Sequence, residues 1–322
     1  MKQKEILLFG ATGQIGRNLI RKLTKNNYKI IAVTRNIHRA GYILKTQANP
    51  GYLELVELNN FHYEKIESLM KNCTVCINLV GILYEKKKNQ FKTIHTDLPD
   101  LLSKIANKLK IEKFIHLSAL GIEQAKDSKY AISKLEGEKK IKKNFENSVI
   151  LKPSIVYSVD DNFTTNFMSL LSKLPFFPMY YSGKTKFTPI HCSDLTDIIY
   201  HIISKNLKSQ IIECVGPEVI TFKEILQRLL ILINKKRLLL PMPFFIASFT
   251  AKIFQLLPKP LITEDQLRLL KYDNILSGKY KSNFDIGIPS KRYFNDEVKK
   301  YSYMWREGGQ FSTEKYTLKE DI

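Results

Sequence analysis

Cysteine is scarce in this sequence, with four in 322 residues. Four thiols are too few for a disulfide scaffold in a chain this long, which excludes the small disulfide-rich secreted class and indicates a reducing compartment. Cys73 and Cys76 have the spacing of half a metal site, but no second pair of cysteines or histidines follows at ligand spacing. Because an apolar run follows them directly, we interpret both as core residues of a buried strand and predict no metal site.

Acidic residues are few relative to basic ones. The sequence has 31 Asp and Glu against 51 Lys and Arg, a formal charge of +20. An excess of this size attracts a protein to anionic surfaces such as membranes, nucleic acids or acidic partners. The lysines are scattered, however, and do not alternate with aromatic residues in a binding stripe. We therefore expect no nucleic-acid binding.

Long apolar runs are also missing. The most apolar stretch, residues 238–257, is interrupted by Pro241 and Pro243, which leaves about 15 helical residues, or roughly 22 Å against a bilayer core of roughly 30 Å. We therefore predict no transmembrane span. Two interpretations stay open for this stretch: a buried helix of a C-terminal lobe, or an interfacial helix flanked by basic residues.

A glycine-rich loop stands near the start of the sequence. The apolar run 6–9 leads into Gly10-Ala-Thr-Gly13-Gln-Ile-Gly16, and a helical apolar pattern follows. A strand, a tight loop and a helix in this order collect backbone N–H groups and a helix dipole at one point, which suits a pyrophosphate. Because the loop begins at residue 10, we expect no signal peptide and a cytoplasmic protein. The residues predicted to bind the cofactor here are Gly10, Thr12, Gly13, Gln14, Ile15, Gly16 and Arg17.

Apolar runs alternate with helical patterns through the first half of the sequence. Five runs follow the first, at residues 28–34, 53–56, 75–80, 113–118 and 148–151. This alternation predicts an α/β fold with a doubly wound parallel sheet of the Rossmann type.

Domain boundaries follow from the end of the sixth run. Since Pro153 cannot donate to a central ladder, we predict that the sheet closes near it. The prediction is a nucleotide-binding domain over residues 1–157 and a smaller α+β lobe on the substrate side over 158–305, partly interleaved with the first. A polar tail then covers 306–322. Within the lobe we expect helices near 162–174, 193–203 and 222–233, a short extended segment at 187–190 and a strand at 211–215.

The end of the second run distinguishes two dinucleotides. Dinucleotide folds usually place an acidic residue there to bind a ribose 2′-hydroxyl, whereas this sequence has Arg35. A cation favours NADP(H), with NAD(H) as the alternative. At the end of the fourth run, Asn78 and Gly81 are predicted beside the nicotinamide ribose. Pro153 completes the predicted cofactor-binding residues.

A tyrosine and a lysine follow the fifth run. Tyr130 and Lys134, at i and i+4, share one helical face. In a hydride-transfer site, the tyrosine hydroxyl exchanges a proton with a substrate oxygen, while the lysine cation lowers the phenol pKa and holds the ribose. Tyr84 and Lys88 have the same spacing, so an ordinary surface helix is the alternative. The position beside Ser118, which is placed to orient a substrate carbonyl, favours Ser118, Tyr130 and Lys134 as catalytic candidates.

Together these motifs resemble the short-chain dehydrogenase/reductase superfamily, in its extended or atypical epimerase-like branch. More narrowly, the sequence from about residue 4 to 276 resembles the nucleotide-binding accessory subunits of respiratory complex I, alpha subcomplex subunit nine, and their bacterial relatives. The segments that carry this likeness are 78–83, 153–156, 161–163, 189–194, 216–221 and 265–270. In two departures, Ser158 stands where relatives usually have glycine, and His95 where many epimerase-like enzymes have asparagine.

The resemblance implies a tightly held NADPH with a structural or regulatory role. It also implies docking beside the membrane arm of complex I, which for a bacterial protein places it on the inner face of the cytoplasmic membrane. A second hypothesis is a free-standing oxidoreductase, epimerase or dehydratase that uses Ser118, Tyr130 and Lys134 on an unknown small molecule. The intact catalytic candidates favour the enzyme, and the narrower motifs favour the accessory subunit.

Overall fold

A parallel eight-stranded sheet forms the centre of the computed structural model, which describes residues 5–242 and 262–311. The strands in chain order are β1 (Glu5–Phe9), β2 (Lys29–Thr34), β3 (Leu53–Glu57), β4 (Val75–Asn78), β5 (Lys113–Leu117), β6 (Ser148–Pro153), β7 (Val156–Tyr157), β8 (Phe176–Tyr180), β9 (Lys186–Phe187), β10 (Ile190–His191), β11 (Gln210–Cys214), β12 (Ile220–Thr221), β13 (Leu238–Met242) and β14 (Lys281–Ser282). The central sheet has the order β3-β2-β1-β4-β5-β6-β11-β14. The predicted doubly wound α/β fold is therefore confirmed.

Helices cover both faces of this sheet. In chain order they are α1 (Gln14–Thr24), α2 (Ile37–Lys45), α3 (Tyr63–Met70), α4 (Leu98–Lys108), α5 (Lys129–Asn144), α6 (Thr164–Lys173), α7 (Cys192–Ser204), α8 (Phe222–Leu232), α9 (Glu264–Leu269) and α10 (Phe294–Ser302). A π-helical turn, Lys92–Asp97, leads into α4, and short 3₁₀ turns lie at Tyr181–Gly183, Tyr303–Trp305 and Gly309–Phe311.

The alternation of side chains along the strands explains why two helical layers form. In β1, Ile6 and Leu8 pack with α1 and α7, whereas Leu7 and Phe9 pack with α3 and α4 on the opposite face. Successive residues of a strand point to opposite faces, so a strand that is apolar throughout must be covered on both sides. The buried Cys73 and Cys76 belong to the second of these cores, as predicted.

A smaller core lies beyond residue 157. It is built mainly from α6, α8, α10 and the short strands near them, with Met168, Phe222 and Val298 buried at its centre. The helices predicted near 162–174, 193–203 and 222–233 are confirmed by α6, α7 and α8, and the extended segment at 187–190 by β9 and β10. The division into domains at residue 157 stays a prediction.

The prediction that the sheet closes near Pro153 is wrong, as is the assignment of the strand at 211–215 to the small lobe. β11 pairs in parallel with β6 over its whole length, with Cys214 opposite Pro153, and β14 adds a further strand. Pro153 is the last residue of β6, so its missing N–H removes at most one bond at the end of the ladder. The central sheet therefore draws its last two strands from the C-terminal half.

The apolar stretch 238–257 begins with an extended segment. Its first residues form β13, which pairs in parallel with β8. The helix predicted after Pro243 and most of the predicted polar tail lie outside the described residues. Within residues 5–242 and 262–311, no helix has the length and apolar character that crossing a bilayer requires.

Candidate functional site

The predicted site residues lie along the carboxyl edge of the sheet. Gly10 follows β1, Arg35 follows β2, and Ser118 follows β5. The strand order reverses between β1 and β4, and in open parallel sheets ligands bind in the crevice at such a point. The geometry thus brings the glycine loop, the end of β4 and the start of α5 to one crevice.

The glycine loop is shaped by two close approaches of backbone. Gly10 has a φ of +82°, and a Cβ there would lie 2.8 Å from the carbonyl carbon of Leu79. A Cβ on Gly16 would lie 2.4 Å from the carbonyl oxygen of Gly10. Because real Cβ atoms do not approach backbone so closely, only glycine lets α1 begin directly against the end of β1.

The N-terminus of α1 is open. Gly13 is the N-cap residue and has no side chain to accept a bond. The N–H groups of Gln14, Ile15 and Gly16 donate to no group in the described part of the chain. Free N–H groups at the positive end of a helix form an anion site. The loop therefore fits the pyrophosphate of a dinucleotide, with Thr12 exposed beside it.

Side chains of α1 reach across to the segment after β7. The Gln14 amide donates to the Ser158 hydroxyl over 2.9 Å. Arg17 donates to the Thr12 carbonyl oxygen and forms an ion pair with the exposed Asp160. Arg17 thus lies at the loop, as predicted, but a carboxylate from the lobe holds its guanidinium. The 143 residues that separate Arg17 from Asp160 leave no local sequence signal for this contact.

Arg35 lies at the carboxyl end of β2. It is exposed directly after β2 and makes no ion pair with the residues the structure describes. Asn36 caps α2 by accepting a bond from the Arg39 N–H. The nearest acidic side chain of the neighbouring strand, Glu57, accepts the Ile37 N–H over 2.8 Å.

The end of β4 is fixed by a buried amide. Asn78 accepts the Val80 N–H over 3.1 Å, and its amide nitrogen lies 3.2 Å from His116 Nδ1. Burial lowers the pKa of His116 well below its ordinary value, with the Lys134 charge acting in the same direction. His116 is therefore neutral, and its Nδ1 accepts from Asn78. Asn78 is buried and structural here, and it sets the course of the backbone toward Gly81.

Gly81 and His95 form the wall beside the tyrosine and lysine. A Cβ on Gly81 would lie 3.6 Å from Lys134 Nζ and 3.8 Å from His95 Nε2. His95 Nε2 accepts the Ile82 N–H over 3.1 Å. Burial lowers the pKa of His95 to about 2, and the Lys134 charge acts in the same direction, so the ring stays neutral. Its ring meets that of Tyr130 edge to face at 5.2 Å.

Tyr130 is buried in the first turn of α5. Burial raises the pKa of its phenol above the ordinary value, and the Asp265 charge raises it further. The sequence predicted that Lys134 lowers the pKa of this phenol, and the structure does not show that effect. Lys134 Nζ lies 5.7 Å from the ring centroid and donates instead to the Leu117 carbonyl oxygen over 3.0 Å. The hydroxyl is therefore protonated at neutral pH, as a proton donor would be.

Lys134 is buried one turn after Tyr130. Burial lowers the pKa of its ammonium group to about 8, although Glu138 opposes this effect. The residue is therefore mostly charged at neutral pH, with only part of its hydrogen-bonding capacity used by Leu117. Tyr130, Lys134 and Gly81 lie together, and their role as a ribose and nicotinamide subsite stays a prediction.

Ser118 is engaged by a buried ionic network. Its hydroxyl donates to Glu138, and Glu138 forms an ion pair of 3.0 Å with Lys152, which also pairs with Glu123. Burial acts to lower the pKa of Lys152, but the two carboxylates together raise it. While this network stands, the Ser118 proton is unavailable to a substrate carbonyl.

Sequence reasoning missed three partners of the predicted residues. Glu138 stands on the same face of α5 as Lys134, and this i, i+4 spacing was a usable signal. Asp160 and Asp265 come from distant parts of the chain and gave no local sequence signal.

Pro153 is buried at the end of β6, where its carbonyl oxygen accepts the Leu120 N–H over 2.9 Å. In the described ranges, no group of three or more metal-binding side chains is present.

Replacing Gly16 with alanine tests the loop geometry. The added methyl group forces the Gly10 and Ala11 carbonyl oxygens away, so the free energy of unfolding should fall by about 1–3 kcal/mol and dinucleotide binding should be lost. Urea titration and calorimetric binding measure the two effects. Gly41→Ala in α2 is the control, since a Cβ there meets only side-chain atoms at 3.3 Å or more. Unchanged binding in Gly16→Ala would contradict this account of the loop.

The depressed pKa of Lys134 predicts a pH dependence of stability. Between about 8 and the ordinary value of 10.5, the unfolded chain binds more protons than the folded one, so stability rises with pH. Relative to Lys134→Met, the free energy of unfolding should rise by about 2 kcal/mol between about pH 7.5 and about pH 9.5. Denaturant titrations at both pH values measure it. The exposed Lys142→Met variant is the control and should show no such difference. If the difference between the unmodified protein and Lys134→Met does not change with pH, the depressed pKa of Lys134 is refuted.

Comparisons with known proteins agree with this geometry. The model of the NAD dependent epimerase/dehydratase family matches residues 6–214. The chain is 23% identical over 283 residues to the NADH-ubiquinone oxidoreductase 40 kDa subunit of Neurospora crassa, covering 87% of this chain and 74% of that protein. Identity to the mouse NADH dehydrogenase [ubiquinone] 1 alpha subcomplex subunit 9 is also 23%, over 87% of this chain and 75% of the mouse protein.

Among solved structures, the fold is similar to that of dTDP-glucose 4,6-dehydratase from Bacillus anthracis in complex with NAD. The TM-score is 0.70 at 15% identity, over 94% of this chain and 96% of that one. This likeness shows the fold, and the family match covers most of the described residues. The chain belongs to the NAD dependent epimerase/dehydratase family, a family of nicotinamide-cofactor proteins.

Proposed function

We propose that this protein binds NADPH as an accessory component of respiratory complex I, with a structural or regulatory role for the cofactor. The observation that carries the proposal is the crevice itself. An open helix N-terminus, an exposed Arg35 and a buried Tyr130–Lys134 pair line one edge of the sheet. The likeness to complex I subunits along most of the chain supports the assignment to that assembly.

The preference for NADPH rests on the charge at the adenosine end. Arg35 is exposed after β2, and the start of α2 adds the positive end of a helix. A guanidinium group binds phosphate through two parallel hydrogen bonds, which a ribose hydroxyl does not reproduce. Glu57 is engaged with α2, so it does not replace the missing acidic residue at the end of β2.

The structural role follows from the state of the polar side chains. Ser118 is committed to Glu138, and Lys134 to the Leu117 carbonyl oxygen. His95 is held neutral between Ile82 and Ser133. The Tyr130 hydroxyl and the remaining N–H groups of Lys134 are the donors left among these groups. Such a site binds the nicotinamide ribose more readily than it polarises a second substrate.

A free-standing oxidoreductase, epimerase or dehydratase is the second candidate. The observation that favours it is the burial of Tyr130 and Lys134 side by side, an arrangement that a purely structural clamp does not need. Turnover of a quinone, a sugar nucleotide or a simple carbonyl compound that is lost in Tyr130→Phe, with nucleotide binding kept, would establish this candidate over the first.

A docking surface lies on the pair of strands β8 and β13. Phe176 is 53% exposed and Leu238, directly opposite it in the ladder, 69% exposed. The basic residues 235–237 precede β13. An exposed apolar patch of this kind suits a protein partner. We assign this patch to contact with the membrane arm of complex I, on the inner face of the membrane.

Arg35→Ala should separate the two dinucleotides. Loss of the 2′-phosphate contact should raise the dissociation constant for NADPH about tenfold or more, with little change for NADH. Calorimetry or NADPH fluorescence measures both. Lys45→Ala removes one exposed charge from the other end of α2 and should change neither. Equal affinity of the unmodified protein for NADH and NADPH would contradict the proposed preference.

The double variant Phe176→Ser/Leu238→Ser tests the docking patch. It should reduce comigration with complex I about tenfold on native electrophoresis of solubilised membranes, because two apolar contacts are lost. Tyr42→Ser, which alters a 70% exposed side chain on α2, is the control for a general surface effect. Migration of the unmodified protein only as a free species would overturn the complex I assignment and leave cofactor binding intact.

A further inference from the structure

The N-terminus of the helix that carries Tyr130 and Lys134 is closed by a carboxylate from a distant part of the chain. Asp265 in α9 accepts the Lys129 N–H over 2.7 Å and the Tyr130 N–H over 3.1 Å. It also accepts the hydroxyl of Ser128, the N-cap residue, over 2.8 Å. One side chain, 135 residues beyond Tyr130, therefore accounts for two N–H groups in the first turn of α5 and holds its cap residue.

The remaining donors of this turn are satisfied locally. Ser128 Oγ accepts the Ala131 N–H over 3.2 Å, and the Ser128 carbonyl oxygen accepts the Ile132 N–H over 3.0 Å. With Asp265, every N–H group from Lys129 to Ile132 thus has an acceptor. This closure contrasts with the open start of α1, where phosphate is expected. The first N–H groups of α5 thus bind acceptors within the protein, whereas those of α1 remain available to a ligand.

Two more side chains of the same segment hold the residue before the cap. Arg268 donates to the Asp127 carbonyl oxygen over 2.8 Å, and the Tyr272 hydroxyl donates to the Asp127 carboxylate over 3.1 Å. Residues 265–272 thus hold the start of α5 at Asp127, Ser128, Lys129 and Tyr130. Charge-assisted bonds to backbone N–H groups are stronger than neutral ones, so Asp265 is the principal contact.

We propose that Asp265 is a positioning residue for the nicotinamide half of the cofactor. It fixes the first turn of α5, and through it the Tyr130 hydroxyl and the Lys134 ammonium group, against Gly81 and the crevice. The adenine half lies against different elements, namely α1 and the end of β2, which Asp265 does not touch. This inference rests on the proposed function, because it requires a dinucleotide bound along this edge.

Because the two halves of the cofactor are expected to contact different elements, a positioning role for Asp265 predicts a result that differs from a general loss of stability. Asp265→Asn removes the charge and one acceptor while keeping the shape of the side chain. The dissociation constant for NADPH should rise about tenfold. The dissociation constant for 2′,5′-ADP, which carries only the phosphorylated adenosine half, should stay within about twofold. Asp265→Glu, which keeps the charge, should recover most of the NADPH affinity.

Asp285→Asn is the matched control. Asp285 accepts the Ser282 N–H and hydroxyl, each over 2.7 Å, in a turn at the far edge of the sheet. It should alter the affinity for neither ligand. Circular dichroism and thermal midpoints establish that each variant is folded, and all affinities are measured at a temperature below the lowest of these midpoints.

The outcomes separate the inference from the function on which it rests. Equal weakening of NADPH and 2′,5′-ADP would show that Asp265 acts only on general stability, and no change in either would show that it does not position the site. Both results would overturn the inference while the unmodified protein still bound NADPH. Failure of the unmodified protein to bind either ligand would overturn the proposed function as well.

Discussion

The contact of Gly16 with the carbonyl oxygen of Gly10 is the constraint on which the site depends. Since a Cβ would stand only 2.4 Å from that oxygen, the helix can begin at the edge of the sheet only if the residue is glycine. Gly13, which has no side chain to accept a bond, is the N-cap of α1. The loop therefore combines close packing of helix on strand with the open N–H groups that an anion needs.

The sequence predicted the parts of this arrangement that depend on the spacing of residues close to one another in the chain. The apolar run 6–9 predicted a strand, three glycines predicted the loop, and the i, i+4 separation placed Tyr130 beside Lys134. Contacts between distant residues have no such spacing. The sequence near Pro153 therefore predicts the end of the sheet, because no nearby residue pattern indicates that residues 210–214 pair with β6 along its free edge. For the same reason the partners of Arg17 and of α5 could not be found.

Burial explains why the polar residues of the crevice favour binding over chemistry. It raises the pKa of the Tyr130 phenol and lowers that of His95, which leaves both neutral at physiological pH. Buried polar groups also require hydrogen-bond partners, and the buried Ser118 hydroxyl therefore donates to Glu138. A catalytic site has groups whose pKa values lie near the working pH, and here Lys134, with a pKa of about 8, comes nearest.

Residues that follow β7 contribute to both ends of the crevice. At one end Asp160 holds Arg17 beside the glycine loop, and at the other Asp265 holds the first turn of α5. The first contact is an exposed ion pair, which contributes little to stability. The second consists of several bonds to backbone and is costly to break. The edge of the sheet thus has an exposed ion pair beside the glycine loop and a capped helix start at α5.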